Sequence, residues 1–292
     1  MAILTWDQSG EHKFETGVDH GVLYIPDGGG AYSDGVAWNG LVNATESPSG
    51  AEANAQYADN IKYLNLYSAE EFGLTIEAFT YPDEFLSFDG FASPTPGVTV
   101  GQQGRKVFGL SYRTLIGNDL DGNEHGFKLH LVYGCQASPS ERAYATVSDS
   151  PEPITFSWEV ATTPIPIAGY PLLKPTSLIV IDSTKVGATP LGILMNMLYG
   201  TVGTDPHLPL PGEVIDIFDG TVTLAIPTKP TFDNVDTITI PTVTGVSYYD
   251  DGVLVPAGAY TILADTVIEA RANSGYYFGP TVDSDWLFVF AG

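Results

Sequence analysis

VFGLSYRTLIGNDLDGNEHGFKLHLVY, Val107 to Tyr133, is the stretch whose pattern decides the class of this chain. Phe108, Leu110, Tyr112 and Thr114 alternate along its first half, and Phe127, Leu129, Leu131 and Tyr133 along its second. A period of two puts each set on one face of a strand, so the stretch reads as a β-hairpin. The connection Ile116–Gly126 is long for a hairpin loop. The face opposite the aromatic one carries Ser111, Arg113, Lys128 and His130, a small basic cluster. One face of such a pair can pack on a core while the other lines a channel or meets a neighbouring molecule.

Outward from this hairpin the same texture continues. Gly35–Gly90 reads as extended segments separated by acidic turns. Gly21–Ile25 is a first short strand, and Gly28–Gly30 follows it as a loop. Val36–Thr45 is a second strand carrying Trp38. Lys62–Tyr67 alternates, with Tyr63, Asn65 and Tyr67 opposite Leu64 and Leu66. Phe72–Tyr81 is β-branched and aromatic and is expected as a strand, although Ser68 and Glu71 also fit a helical capping box. Pro153–Thr163 and Ser177–Ile181 read as core strands. One helix is signalled: Thr189 can cap it, Pro190 suits its first position, Leu191–Tyr199 form its body and Gly200 can end it. Leu191, Leu194, Met195 and Leu198 give that helix a single apolar stripe, the mark of packing on a sheet.

The texture changes after the spacer Pro227–Pro230. Thr231–Gly292 is a run of short strands with eight acids against Arg271 alone. The expected organisation is therefore a main β domain over 1–228 and a small sandwich-like β domain over 229–292. The expected class is mainly β, with one short helix.

Composition narrows the function. The chain has 292 residues, with 35 acidic against 11 basic side chains and a net charge of −24. Ordinary nucleic-acid binding needs Lys and Arg on phosphates, and this balance argues against it. A single cysteine, Cys135, rules out an internal disulfide framework and reads as a small buried hydrophobe. The N-terminus meets charge too early for a signal peptide, and no apolar run approaches a membrane span, so synthesis in a reducing cytoplasm is expected.

Candidate chemistry is thin. Asp119, Asp121 and Asn123 alternate in the Asn118–Gly126 loop, but the glycine falls at Gly122 and no glutamate closes a calcium loop, so turn chemistry accounts for them. Adjacent acids such as Glu70–Glu71 and Asp83–Glu84 do not face each other across a sugar as glycoside hydrolysis requires. His12, His20, His125, His130 and His207 show no metal-ligand spacing, and no nucleophile elbow accompanies them. The expectation is a protein without catalytic residues, metal or cofactor.

Several segments together resemble the major tail tube proteins of long-tailed bacteriophages. They include GVLY at Gly21–Tyr24, AWNGL at Ala37–Leu41, ESPSGAE at Glu46–Glu52 and YADNIKYLNLYSAEE at Tyr57–Glu71. TIEAFTYPDEF at Thr75–Phe85, FGLSYRTLIGND at Phe108–Asp119 and HGFKLHLVYG at His125–Gly134 continue the likeness. It ends with ASPSERAYATVSDSPEPITFSWEV at Ala137–Val160 and LPLPGEVIDIF at Leu208–Phe218. The resemblance spans roughly Asp7 to Phe218. It implies a β-barrel or sandwich subunit that closes into rings, usually hexameric, and stacks them into a tube. The genome would leave through the lumen without specific binding. Tape measure, tail tip and tail terminator proteins would be partners, and assembly in the host cytoplasm would end in the virion tail. The C-terminal domain would sit on the tube exterior. In this frame Arg113, Lys128 and His130 are candidates for pairing with carboxylates of an adjacent subunit. The alternative from another class, prompted by 16 Tyr, 14 Phe and 4 Trp, is a β-sandwich that binds or cleaves carbohydrate.

Overall fold

The structure, a computed structural model, describes residues 3–147, 149, 152–201, 204–220, 222–273, 275–278 and 283–291. Ser148, Ser150 and Pro151 of the Ala137–Val160 segment lie outside the described residues, as does Gly292 at the end of the expected C-terminal domain. The chain is mainly β and divides into two compact units. One comprises Met1–Ile167 with Pro171–Lys185, the other Ala168–Tyr170 with Val186–Gly292. The boundary expected at 228/229 thus lies inside the second unit.

The first unit is built on β1 (Phe14–Pro26), β2 (Tyr32–Trp38), β3 (Leu41–Glu46), a hairpin of β4 (Ala53–Ala58) and β5 (Ile61–Tyr67), β6 (Gly73–Ala78), β7 (Phe108–Asn118), β8 (Gly122–Ala137), β9 (Phe156–Thr162) and β10 (Leu178–Asp182). Its antiparallel sheet runs β2-β1-β7-β8-β9-β6-β3, with β10 also on β8. Val36–Thr45, expected as one strand, is two. Gly40 adopts φ +78°, and a Cβ there would press to 3.1 Å from the Thr80 methyl group, so the chain turns at this point. The anticipated long loop at Ile116–Gly126 is mostly strand, because Asn118 already pairs with Gly122.

Strand β8 divides one edge between two partners. Lys128–Val132 pair with β10, and Cys135–Ala137 pair with β9. The change occurs at Gly134, where φ is +62° and a Cβ would fall 2.2 Å from the Thr163 carbonyl oxygen. Only glycine fits this bend. The consequence is a strongly curled sheet. In a flat sheet β3 would lie about 14 Å from β8, three strand spacings away. Yet Glu46 at the end of β3 reaches His130 of β8 at 2.8 Å. The curl does not close into a barrel.

Inside the curl sit Trp38, Leu74, Ile76, Phe85, Phe108, Leu110, Trp158 and Val160. The rings crowd around Phe85, with Trp38, Trp158 and Phe108 centroids at 4.5, 5.2 and 5.6 Å. Edge-on packing of this kind adds to the burial of large apolar surfaces. Asp89 is buried within reach of this core. It accepts from the Trp158 indole N–H at 3.1 Å and pairs with Arg142, whose guanidinium lies over Tyr81, Phe91 and Phe156. The other face of the central strands is buried too, through Tyr24, Leu129, Leu131 and Tyr133. The β7–β8 pair therefore leaves no open face along its middle to line a channel.

The second unit begins with α1 (Ala188–Tyr199) and α2 (Pro211–Asp219). Thr189 lies within α1 and not at its cap, which is Gly187 with no capping side chain, whereas Gly200 ends the helix as expected. The sequence reading had one helix; α2 is a second. Pro211–Gly212 reads as a turn, but Pro211 occupies the first helical turn and the Glu213 carboxylate accepts from the Leu210 N–H at 2.9 Å. Val214 and Ile217 then bury one side.

Beyond the helices the small β domain has its own core, including Ile238, Ile240, Val246, Tyr248, Ile268, Trp286 and Phe288. A three-stranded sheet joins Thr231–Phe232, β11 (Thr237–Ile240) and β14 (Gly258–Thr261). A four-stranded sheet runs β13 (Val253–Val255), β12 (Val246–Asp250), β15 (Thr266–Ala272) and β16 (Asp285–Phe288). The Pro227–Pro230 spacer is fastened to this domain, since the Tyr248 hydroxyl donates to the Thr228 carbonyl at 2.7 Å and accepts from its N–H at 3.0 Å.

Candidate assembly surface

The cations proposed for subunit contact are not one cluster. In the β7–β8 ladder Tyr112 faces His130, Thr114 faces Lys128, and Arg113 faces Leu129. Arg113 therefore stands on the opposite side of the sheet from Lys128 and His130. Alternation within each strand leaves the register between strands open, and a slip of one residue exchanges the faces. The register is set by the turn at Asn118–Gly122, in which the Asn118 carboxamide oxygen accepts from the N–H groups of Leu120 and Asp121.

Each of these cations meets a carboxylate of its own chain. Arg113 donates from Nε and Nη2 to the two oxygens of Asp19, both at 2.7 Å, and lies 5.2 Å from the Phe127 ring centre. This bidentate bond, more than the adjacent His20, holds the Asp19 carboxyl below the usual range against the effect of its partial burial. Lys128 pairs with Glu15. His130 meets Glu46 through Nδ1 at 2.8 Å, and its ring stacks on Tyr112 with centroids 4.6 Å apart. Arg113 and Lys128 thus already have charge partners within the fold, and His130 a hydrogen-bond partner.

Around His130 the polar groups converge. Glu46 Oε1 accepts from the Tyr112 hydroxyl at 2.8 Å as well as from the imidazole, and Thr114 Oγ1 lies 3.0 Å from His130 Nε2. Burial, reinforced by Glu46, pushes the Tyr112 phenol far above its ordinary pKa. Burial also lowers the His130 pKa, outweighing the attraction of Glu46. Hydroxyl, imidazole and carboxylate stand in the order of an acyl-transfer triad. The carboxylate, however, is shared with a phenol, and the groove of about 530 Å³ lined by Ile25, Phe88, Phe91, Gln103 and Lys106 includes none of the four residues. The arrangement reads as a joint that satisfies buried polar groups.

The acidic turn has equally local duties. Asp119 accepts from the Gly10 N–H at 3.0 Å and the His12 N–H at 3.3 Å, and Asp121 pairs with His125 at 2.9 Å. Among the described residues no group of His, Cys, Asp or Glu is arranged to hold a metal ion. Cys135 is buried in the core, and that burial pushes its thiol pKa far up, as suits a small hydrophobe.

The open surface lies elsewhere. The β4–β5 hairpin turns at Asp59–Asn60, both at positive φ, and most of its side chains are exposed on both faces. Leu64 and Leu66 stand opposite Gln56 and Asn54, while Tyr67 stands opposite Ala53 on the other face. Tyr57, Tyr63 and Tyr67 are 72%, 69% and 66% exposed, and Ile61 and Leu66 are exposed as well. An isolated two-stranded hairpin is marginal in water, and contiguous apolar exposure on a soluble protein marks a contact surface. The sequence carried a signal for it: Lys62–Tyr67 has bulky apolar residues on both faces, a pattern that asks for cover on both sides.

No family model matches the chain. No curated protein matches it either. Among solved structures, a chain of the six-fold symmetrised cryo-EM structure of the anti-feeding prophage (AFP) baseplate aligns over 61% of this chain and 97% of its own length. The identity is 8% and the TM-score 0.30, too loose a superposition to carry a shared role. No helix of the described residues is long and apolar enough to cross a membrane.

Proposed function

We propose that this chain is a self-assembling structural subunit of a phage tail, the building block of its tube, and that the β4–β5 hairpin is a contact with the next copy. The observation that carries the reading is the hairpin itself, two strands whose tyrosines and leucines remain in water in the single chain. Tyr57, Ile61, Tyr63, Leu64, Leu66 and Tyr67 are each 40–72% exposed, a bulky apolar surface spread over both faces of the hairpin. The segments that resemble tail tube proteins supply the class of assembly, and rings stacked into a tube that contacts tape measure, tip and terminator proteins follow from that resemblance. A net charge of −24 per copy suits a conduit through which DNA must pass without adhering.

Negative-stain microscopy and sedimentation of the purified protein test the reading. Rings or tubes are the expected outcome. A protein that stays monomeric at roughly 100 μM and binds glycans would replace this reading with the carbohydrate-binding alternative.

A further inference from the structure

We infer that Glu46 is the positioning residue of the exposed hairpin, tying its root to the central strands through His130 and Tyr112. The significance of this joint rests on the reading of the hairpin as an assembly contact. Glu46 is the last residue of β3, and the chain leaves the sheet immediately after it. Ser47 donates its N–H to Gly73 at 2.8 Å, closing the neck from which the hairpin projects. β3 is an edge strand, held by its ladder to β6 alone. Leu41 and Ala44 hold the rest of β3 against the core, so it is at the neck end of the strand that a further contact matters. The Glu46 carboxylate supplies that contact by accepting from the Tyr112 phenol and the His130 imidazole, on the two strands at the middle of the sheet.

The joint is also sensitive to pH. The groups that face His130 are Glu46 from β3, Tyr112 and Thr114 from β7, Lys128 from its own strand and Glu15 from β1. With neutral imidazole, Nδ1–H donates to Glu46 and Nε2 accepts from the Thr114 hydroxyl. The fold depresses the His130 pKa, chiefly by burial. A base whose folded pKa lies below its unfolded value stabilises the closed state at higher pH. That contribution is lost as the pH falls below about 6.5, the ordinary histidine value. Acidification therefore favours any opening of the neck that returns His130 to water, although a protonated ring is drawn more strongly to Glu46 itself.

Amide hydrogen exchange, corrected for intrinsic rates and followed from pH 8 to pH 5.5 in the full chain, tests this. Glu46→Ala should accelerate exchange in residues 41–47 by about tenfold, the loss expected for two part-buried hydrogen bonds, and leave residues 266–272 unchanged. Glu46→Gln retains an acceptor for both donors and should restore protection at pH 8. His130→Asn retains a donor to Glu46 but cannot titrate, so its protection should no longer fall with acid. Wild-type exchange in Glu46→Ala overturns the joint. So does an undiminished acid response in His130→Asn, which decides the matter even if the alanine variant fails to fold. Self-association followed in parallel by light scattering separates the two readings. Normal assembly of Glu46→Ala with a loosened neck removes the positioning role. A wild type that never self-associates, with exchange as expected, breaks the assembly reading and leaves the joint standing.

Discussion

The β7–β8 pair and the β4–β5 hairpin are both antiparallel pairs with apolar residues on both faces, and their fates in the fold are opposite. Leu129, Leu131 and Tyr133 are wholly buried, whereas Leu66, Tyr63 and Tyr67 stand in water. The cations of the first pair all meet carboxylates within the chain. The hairpin's two faces have almost no cover from the rest of the chain. The contrast separates two meanings of the same pattern. Two-sided apolar strands require two-sided cover: one pair receives it inside the chain, and the other, on the proposed reading, would receive it from a neighbouring copy.

Matched truncations would sharpen the contrast. Leu131→Ala removes a side chain with no exposure and should cost about 2–5 kcal/mol in urea unfolding. Arg113→Ala comes next, at about 1 kcal/mol or less, because the Asp19 pair is partly solvated. Its pH signature is specific. A carboxyl held below its ordinary pKa contributes stability above about pH 4, and that contribution fades as the pH falls through the folded value. The variant should therefore lose less stability between pH 7 and pH 3 than the wild type. Tyr63→Ala with Leu66→Ala should shift monomer stability by no more than about 0.5 kcal/mol, since both side chains are already exposed. The same double variant should abolish self-association in sedimentation; a large loss of monomer stability would place the hairpin in the subunit's own core and break the comparison. Smallest of all, a chelator should leave the melting temperature unchanged, and recovery specifically on calcium would show that the Asp119–Asp121 turn holds a metal after all.

How much of this could be read in advance differs residue by residue. The strands around Phe108–Tyr112 and Phe127–Tyr133 were legible because the alternation of side chains is a local property of the extended backbone. The partnership of Tyr112 with His130 was not, because period-two patterns slide against each other until a turn such as Asn118–Gly122 fixes them. Helix α2 hid behind Pro211–Gly212, where a helix-initiating proline and a turn proline look alike. The joint at Glu46 was invisible for a different reason: it lies 84 residues from His130 and depends on the curl imposed at Gly134.

By itself, then, the sequence determined that the chain is mainly β and acidic, that its single cysteine serves as a small hydrophobe, and that its acidic turn follows turn chemistry. These are consequences of composition and of side-chain periodicity, which act over a few residues. Only the tertiary structure decided which cation meets which carboxylate, which of two similar strand pairs is covered, and where the hairpin is anchored. Those outcomes depend on register and on the curvature of the whole sheet: a one-residue slip between β7 and β8 would exchange their faces, and the Glu46–His130 contact needs the sheet's curl, while every local pattern would stay intact.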